Sequence, residues 1–234
     1  MISEIAGLAE YLQMGGLEKD WRRALGIDIF AEIALGPISV DLLSNGELAQ
    51  YCLLEGPLRR RSWLTGRAAL KRVLRRLDLG SDTSRIEFPA AEFSLSHASE
   101  IAIAVACTQK GQSADSARPY GLGVDIEKDK PVRPETARFF LSPNEQERLT
   151  RQNERPEVAL LRTWTIKEAV FKADRGNRGR LLSDYHLLNA AAREGIAHLK
   201  TESPTPVAFH YISQHLAGWH ISVAAQLERK HGQG

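Results

Sequence analysis

Cysteine is nearly absent. The 234 residues hold only Cys52 and Cys107, too few for a disulfide framework, and no zinc-ligand spacing accompanies them. Long apolar runs are missing too: the longest strand-like one, Ile101 to Cys107, is far too short to span a membrane. The stretch from Met1 to Glu10 carries Glu4 and Glu10 and lacks the basic start and apolar core of a signal peptide. A cytoplasmic protein is expected. Excess charge is also lacking. Lys and Arg total 31 against 29 Asp and Glu, a net +2, so no bulk field points to nucleic acid or a membrane surface. The hydrophobic share of 43% and charged share of 26% are ordinary for a globular protein, and the length suits one large domain or two small ones.

The basic residues are nevertheless uneven. Arg59, Arg60, Arg61, Arg67, Lys71, Arg72, Arg75 and Arg76 fall in one stretch without an acid, which needs either an anionic partner or a solvated helix face. A repeat runs through the same region. Gly26-Ile27-Asp28-Ile29-Phe30 recurs as Gly123-Val124-Asp125-Ile126-Glu127, and Leu43-Ser44-Asn45-Gly46-Glu47 as Leu141-Ser142-Pro143-Asn144-Glu145. Arg61-Ser62-Trp63 with Ala68 and Lys71 recurs as Arg162-Thr163-Trp164 with Ala169 and Lys172, all in the same order. A late strand completes each copy less clearly, Ile101–Val105 and His220–Ala224. An α+β fold is expected, of two similar α/β halves about a pseudo-twofold axis. Residues 1–118 would form the N-terminal half, which carries the basic stretch, and 119–234 the C-terminal half, which carries Asp125, Glu127 and Glu168. They meet at Gly111 to Pro119, where Gly, Ser, Asp and Pro crowd without periodicity. The second copy has Glu127 and Glu168 where the first has Phe30 and Arg67; that asymmetry implies a single active site at the junction.

Gly123 to Glu127 alternates apolar and acidic residues at the period of a strand. Val124 and Ile126 would face a core, and Asp125 and Glu127 would project together from the other face. Two such acids repel unless water or a cation relieves them. Magnesium takes one or two carboxylates together with substrate phosphate oxygens, so the pair suits half of a metal site; a solvated strand face is the plainer alternative. Leu160 to Ala173 contains no Gly or Pro and reads as a helix. At 100° per residue, Leu160, Leu161, Trp164, Glu168 and Phe171 share one arc, with Lys172 at its edge. A carboxylate on that apolar arc needs a cationic partner or a metal. The far side is apolar as well, so the helix can be buried all round.

These residues carry a resemblance. Gly123-Val124-Asp125-Ile126-Glu127 followed by Trp164-Thr165-Ile166-Lys167-Glu168-Ala169-Val170-Phe171-Lys172 resembles the paired signature of 4′-phosphopantetheinyl transferases of the surfactin-synthetase-activating type. Phe93-Ser94-Leu95-Ser96-His97-Ala98 is similar to the family's Phe-Asn-(Ile/Leu)-Ser-His-Ser element, and Arg61 to Lys71 to its basic segment. The resemblance implies the two-half fold of that family and transfer of phosphopantetheine from coenzyme A to a serine of an apo acyl or peptidyl carrier protein. It implies Mg2+ held by Asp125, Glu127 and Glu168 against the coenzyme A pyrophosphate. Lys172 would bind that pyrophosphate with Lys167, Ser96 and His97 would touch the phosphate and nucleotide region, and Arg61 and Arg67 would take the 3′-phosphate. Glu168 is the expected base, and Asp125 and Lys172 act beside it. A monomer is expected, because the duplication supplies both halves of one site. Ser94 and Ala98 depart from the usual Asn and Ser, and Phe88-Pro89-Ala90 stands where Gly-Lys-Pro is common.

Two rivals use the same residues: a metal-dependent phosphohydrolase, and a non-catalytic module whose Arg59–Arg76 helix binds nucleic acid. Neither accounts for the Trp-x-x-Lys-Glu-Ala-x-x-Lys spacing. Trp63 and Trp164 read as packing residues, Ser142 as a helix cap. His186, His198, His210, His215 and His220 show no ligand spacing.

Overall fold

A computed structural model describes residues 7, 8, 11, 15–107, 119–151, 154–201 and 206–227. The proposed joint at 111–118 lies outside the described residues. Helix α1 (Gly16–Leu25) runs between two left-handed glycines, Gly15 and Gly26. Strands β1 (Ile29–Leu35), β2 (Phe93–Ala98) and β3 (Ile101–Cys107) form an antiparallel sheet in the order β1-β3-β2. Between β1 and β2 come α2 (Asn45–Cys52) and α3 (Pro57–Arg76). The second sheet contains β4 (Pro119–Lys128), β5 (Tyr185–Leu187), β6 (Glu194–Leu199), β7 (Ala208–Leu216) and β8 (Trp219–Leu227), in the order β4-β8-β7-β6-β5. Its helices are α4 (Pro143–Thr150) and α5 (Pro156–Ala173). No helix among the described residues is long and apolar enough to cross a membrane.

Strand β3 shows how the layers are made. Ile101, Ile103, Val105 and Cys107 point one way, into a core shared with Leu122, Val124 and Ile126 of β4 and Ile221 and Val223 of β8. Ala102, Ala104 and Ala106 point the other way, and their small side chains let α3 settle close through Ala69, Leu70 and Val73. Bulk faces the other sheet and smallness faces the helix, which is the period-two code of a strand buried on both faces. The second sheet does the same with α5. The two halves therefore share one core, with a long helix on each outer face.

The order β1-β3-β2 is repeated as β4-β8-β7, and so is a buried ion pair. Ser44 and Ser142 each cap a helix in a capping box, with Glu47 and Glu145 at its third position. Glu47 then meets Lys71 at 2.7 Å, and Glu145 meets Lys167 at 2.7 Å. Each lysine also donates to a carbonyl, Ser81 or Tyr185, and each glutamate accepts from the N–H two residues further on, Thr83 or Leu187. Lys71 thus corresponds to Lys167, Arg72 to Glu168 and Arg76 to Lys172. The strands agree: Arg76 reaches Ala31 O and Glu32, as Lys172 reaches Val124 O and Asp125. This correspondence displaces the sequence match, in which Asp28 stood for Asp125 and Arg67 for Glu168. Alternation along a strand survives any even shift, so Gly26–Phe30 matched at the wrong register. The asymmetry itself survives, because the position equivalent to Glu168 in the other copy is again an arginine, Arg72.

Candidate active site

Strands β2 and β4 are edge strands of different sheets, and serine hydroxyls on β2 join them. The Val124 N–H donates to Ser94 Oγ at 3.0 Å, and the Ile126 N–H to Ser96 Oγ at 3.4 Å. Edge N–H groups that would otherwise lack a ladder partner are thereby satisfied. Ser96 Oγ in turn donates to Asp125 Oδ1 at 2.7 Å. Lys172 Nζ, arriving from α5, donates to the same Oδ1 at 2.7 Å, to Ser96 Oγ at 3.1 Å and to Val124 O at 3.2 Å. Ser96, Asp125 and Lys172 form one network across the junction of the halves.

Two glycines let α5 come that close. A Cβ at Gly121 would stand 1.9 Å from Ala173 O, and one at Gly123 would stand 1.9 Å from Ala169 O. Only a residue without a Cβ tolerates this approach. Gly123→Ala is expected to lift α5 from β4. The loss should be about 1–3 kcal/mol of stability, seen as a lower denaturant midpoint, with a fall in kcat/KM because Glu168 and Lys172 move with the helix.

Glu168 stands on the half-open stripe of α5 with Trp164, Phe171 and Lys172. Of the arc drawn from the sequence, Trp164, Glu168 and Phe171 lie on this more open stripe, whereas Leu160 and Leu161 are buried. Burial lifts the Glu168 carboxyl above its ordinary range, and the charges of Asp125 and Glu127 lift it further against Lys172. The three acids share one neighbourhood, the α5 side of β4. Glu127 pairs with Lys130 at 2.6 Å.

A cavity of about 720 Å³ opens beside this network, lined by Arg59, Trp63 and Arg67 of α3, His97 of β2, and Lys172 and Asn177 from the second half. Arg59, Trp63 and Arg67 share its wall because residues four and eight apart lie on one face of a helix. Arg67 lies over the Trp63 ring, 4.8 Å from its centroid, and donates to Thr83 O and Oγ1. Trp63 is thus a cavity wall, not packing alone.

The curated relatives now bear on this arrangement. The 4′-phosphopantetheinyl transferase AcpT of Salmonella typhi is 30% identical over 190 residues, covering 75% of this chain and 93% of that protein. This chain belongs to the 4′-phosphopantetheinyl transferase superfamily. AcpT of Salmonella typhimurium is 30% identical over 197 residues, with the same coverages of 75% and 93%. The profile of the 4′-phosphopantetheinyl transferase superfamily matches residues 121–224. Among solved structures, the holo-[acyl-carrier-protein] synthase of Thermotoga maritima is similar at a TM-score of 0.34 and 20% identity, over 48% of this chain and 65% of that one.

The site of this phosphopantetheinyl transferase family member differs from the sequence expectation at two residues. Lys167 does not face it: the side chain is 0% exposed and clasped by Glu145. One residue from Glu168 is 100° round the helix, which carries Lys167 from the open stripe into the interior. Arg61 is turned away as well, pairing with Glu100 at 3.3 Å on an exposed surface and lining a different cavity. Arg61 and Arg67 are six residues apart, roughly 240° on a helix, so one cavity cannot receive both. Arg59, not Arg61, lines the cavity beside Arg67.

The three acids do not bring ligand atoms within 4.8 Å of one another, but the chemistry of the donors suits a divalent ion. Asp125 is 5% exposed, and its Oδ2 is buried without a hydrogen-bond partner while Oδ1 takes both Ser96 and Lys172. An unpartnered carboxylate oxygen in the interior, with two further acids near it, is a cation-seeking arrangement.

Proposed function

We propose that Lys172, shared between the Asp125 carboxylate and the wall of the inter-half cavity, marks the site where the diphosphate of coenzyme A is held for transfer of its phosphopantetheine arm. The protein is a transferase that moves this arm from coenzyme A to a serine of an apo acyl or peptidyl carrier protein, with release of 3′,5′-ADP. Family membership supports the reaction, and the Lys172 geometry supports the position.

Asp125, Glu127 and Glu168 would hold Mg2+, which when bound supplies positive charge to the diphosphate as its electron density shifts. The chain's own groups do the rest. Ser96 fixes the Asp125 carboxylate. Lys172 places one positive charge at the cavity's inner end, where it offsets charge on the leaving 5′-phosphate. Arg59, Arg67 and His97 line the same cavity and receive the nucleotide phosphates and base. The Glu168 side chain makes no hydrogen bond among the described residues, unlike those of Asp125 and Glu127, and takes the proton of the attacking serine hydroxyl. The serine oxygen bonds to the β-phosphorus as the bond to the 3′,5′-ADP oxygen breaks.

Both halves stand in one chain, with residues 1–118 supplying the basic wall and 119–234 the acids. This supports the surfactin-synthetase-activating type and a monomer. An acidic carrier surface would meet the arginines of α3 near the junction, transiently and salt-dependently. The test is incubation with coenzyme A, Mg2+ and a panel of apo-carriers. A carrier should gain the mass of one phosphopantetheine, with 3′,5′-ADP appearing in equal amount. Coenzyme A cleaved equally well without a carrier would overturn the reading in favour of a phosphohydrolase.

A further inference from the structure

The carboxyl end of β4 and the tip of the β7–β8 hairpin bring three further residues together. His215 and His220 are cross-strand partners beside the two-residue turn Ala217-Gly218, and their rings stack with centroids 4.5 Å apart. Asp129 follows β4, and its N–H donates to Gly218 O at 2.9 Å, which seats the residue over the turn. His215 Nε2 lies 3.0 and 2.9 Å from the two Asp129 carboxylate oxygens. His220 Nε2 lies 3.3 Å from Oδ1. One ligand atom from each of the three residues falls within 4.8 Å of the others, which no other set of His, Cys, Asp or Glu achieves among the described residues.

His215 is explained by its bond to Asp129; His220 is not. His220 is only 2% exposed, neither ring nitrogen has a hydrogen-bond partner, and it lines a cavity of about 490 Å³ with Asp129. Leaving buried polar atoms unpartnered costs about 1–3 kcal/mol, so a buried imidazole aimed at a carboxylate without bonding it calls for a group between them. Four ligands around zinc at about 2.0–2.1 Å stand roughly 3.3 Å from one another in a tetrahedron. The Asp129 oxygens stand 2.9 and 3.3 Å from the two imidazoles, close to that spacing.

We propose that Asp129, His215 and His220 form a site for a borderline divalent transition-metal ion of the zinc class, separate from the acid site. Two imidazoles and one carboxylate suit zinc and its neighbours, whereas magnesium prefers oxygen ligands alone. Three protein ligands leave a fourth position open toward the cavity. Lys130 and Arg155 line that cavity, so water or a small anion fits there better than another cation. Glu127 is the ladder partner of His220, which puts the two sites on adjoining rungs of one sheet. The proposal does not depend on the transfer chemistry.

Calorimetric titration of Zn2+ into metal-stripped protein, with excess Mg2+ to hold the oxygen-ligand site, tests it. One equivalent of zinc should bind the wild type. His215→Ala and Asp129→Asn, both at exposed positions that leave the core untouched, should each weaken zinc by at least about 100-fold. Asp125→Asn should leave zinc affinity unchanged. Co2+ in place of Zn2+ should give the visible absorption of a four-coordinate site in the wild type, absent in His215→Ala. Wild-type zinc affinity in His215→Ala would overturn the proposal. So would no binding by the wild type, or loss in Asp125→Asn instead.

Discussion

Asp125→Asn is expected to reduce carrier modification by about 10³-fold or more while leaving the fold intact. Oδ1 of Asp125 accepts from Ser96 and Lys172, and an asparagine carbonyl can keep both bonds. What the amide cannot supply is the negative charge that balances Lys172, or a second anionic oxygen at the buried, unpartnered Oδ2 position. The charge on Asp125 also pushes against Glu168, whose carboxyl is already lifted by burial. Removing it relieves that repulsion but leaves Lys172 unbalanced, two opposed effects, so the thermal midpoint should change little while activity collapses. That split separates a working group from a structural one. The measurement is the initial rate of carrier mass gain at saturating coenzyme A, beside a thermal melt of the same sample. A variant turning over near the wild-type rate would remove Asp125 from the mechanism.

The second large effect is on stability. Glu145→Ala should destabilise the protein by about 3–5 kcal/mol, because it leaves the Lys167 ammonium buried without its carboxylate. Lys167 is 0% exposed and Glu145 is 2% exposed. Burial pulls the Lys167 ammonium below the ordinary lysine range even with Glu145 beside it. Burial pushes the Glu145 carboxyl up, but the Lys167 charge and the Leu187 and Ser142 N–H groups outweigh it, leaving the carboxyl below its ordinary value of 4.5. The sign of the pH dependence follows. The contribution of Glu145 is complete above its unfolded value and is lost as pH falls through the lowered folded one. Denaturant midpoints across that acid window should fall more steeply for the wild type than for a Glu145→Leu, Lys167→Met pair. That pair replaces both charges with matched apolar bulk and should recover most of the stability lost in Glu145→Ala. Recovery failing, with Glu145→Ala at wild-type stability, would show that the clasp carries no energy.

Much of the site was readable before any coordinates. The alternation from Gly123 to Glu127 places Asp125 and Glu127 on the face opposite Val124 and Ile126, and the structure has Val124 and Ile126 in the shared core. The helix also came through, although it begins at Pro156, not Leu160, since proline is tolerated in a first helical turn. The capping serines Ser44 and Ser142 were visible as repeated motifs. Their glutamates were not recognisable as halves of buried clasps, because the lysines lie more than twenty residues downstream and nothing local points to them. His215 and His220 show no metal-ligand spacing in the sequence. The signal was a turn centred between them: two positions flanking Ala217-Gly218 symmetrically are cross-strand neighbours once a two-residue hairpin forms.

The sequence by itself determined the chemical inventory and the local periods: which donors exist and which strand face each acid takes. Tertiary structure decided which of those groups meet. Helix α5 is apolar on nearly every side, so its own pattern could not say whether Lys167 or Glu168 would be the enclosed residue. The choice came from β4, whose Gly121 and Gly123 admit the helix backbone and bring Lys172 onto Asp125. Likewise Arg59, and not Arg61, reaches the cavity because the neighbouring half lies on that side of α3. Periodicity is a property of one segment, but a face becomes inside or outside only when a second segment packs against it.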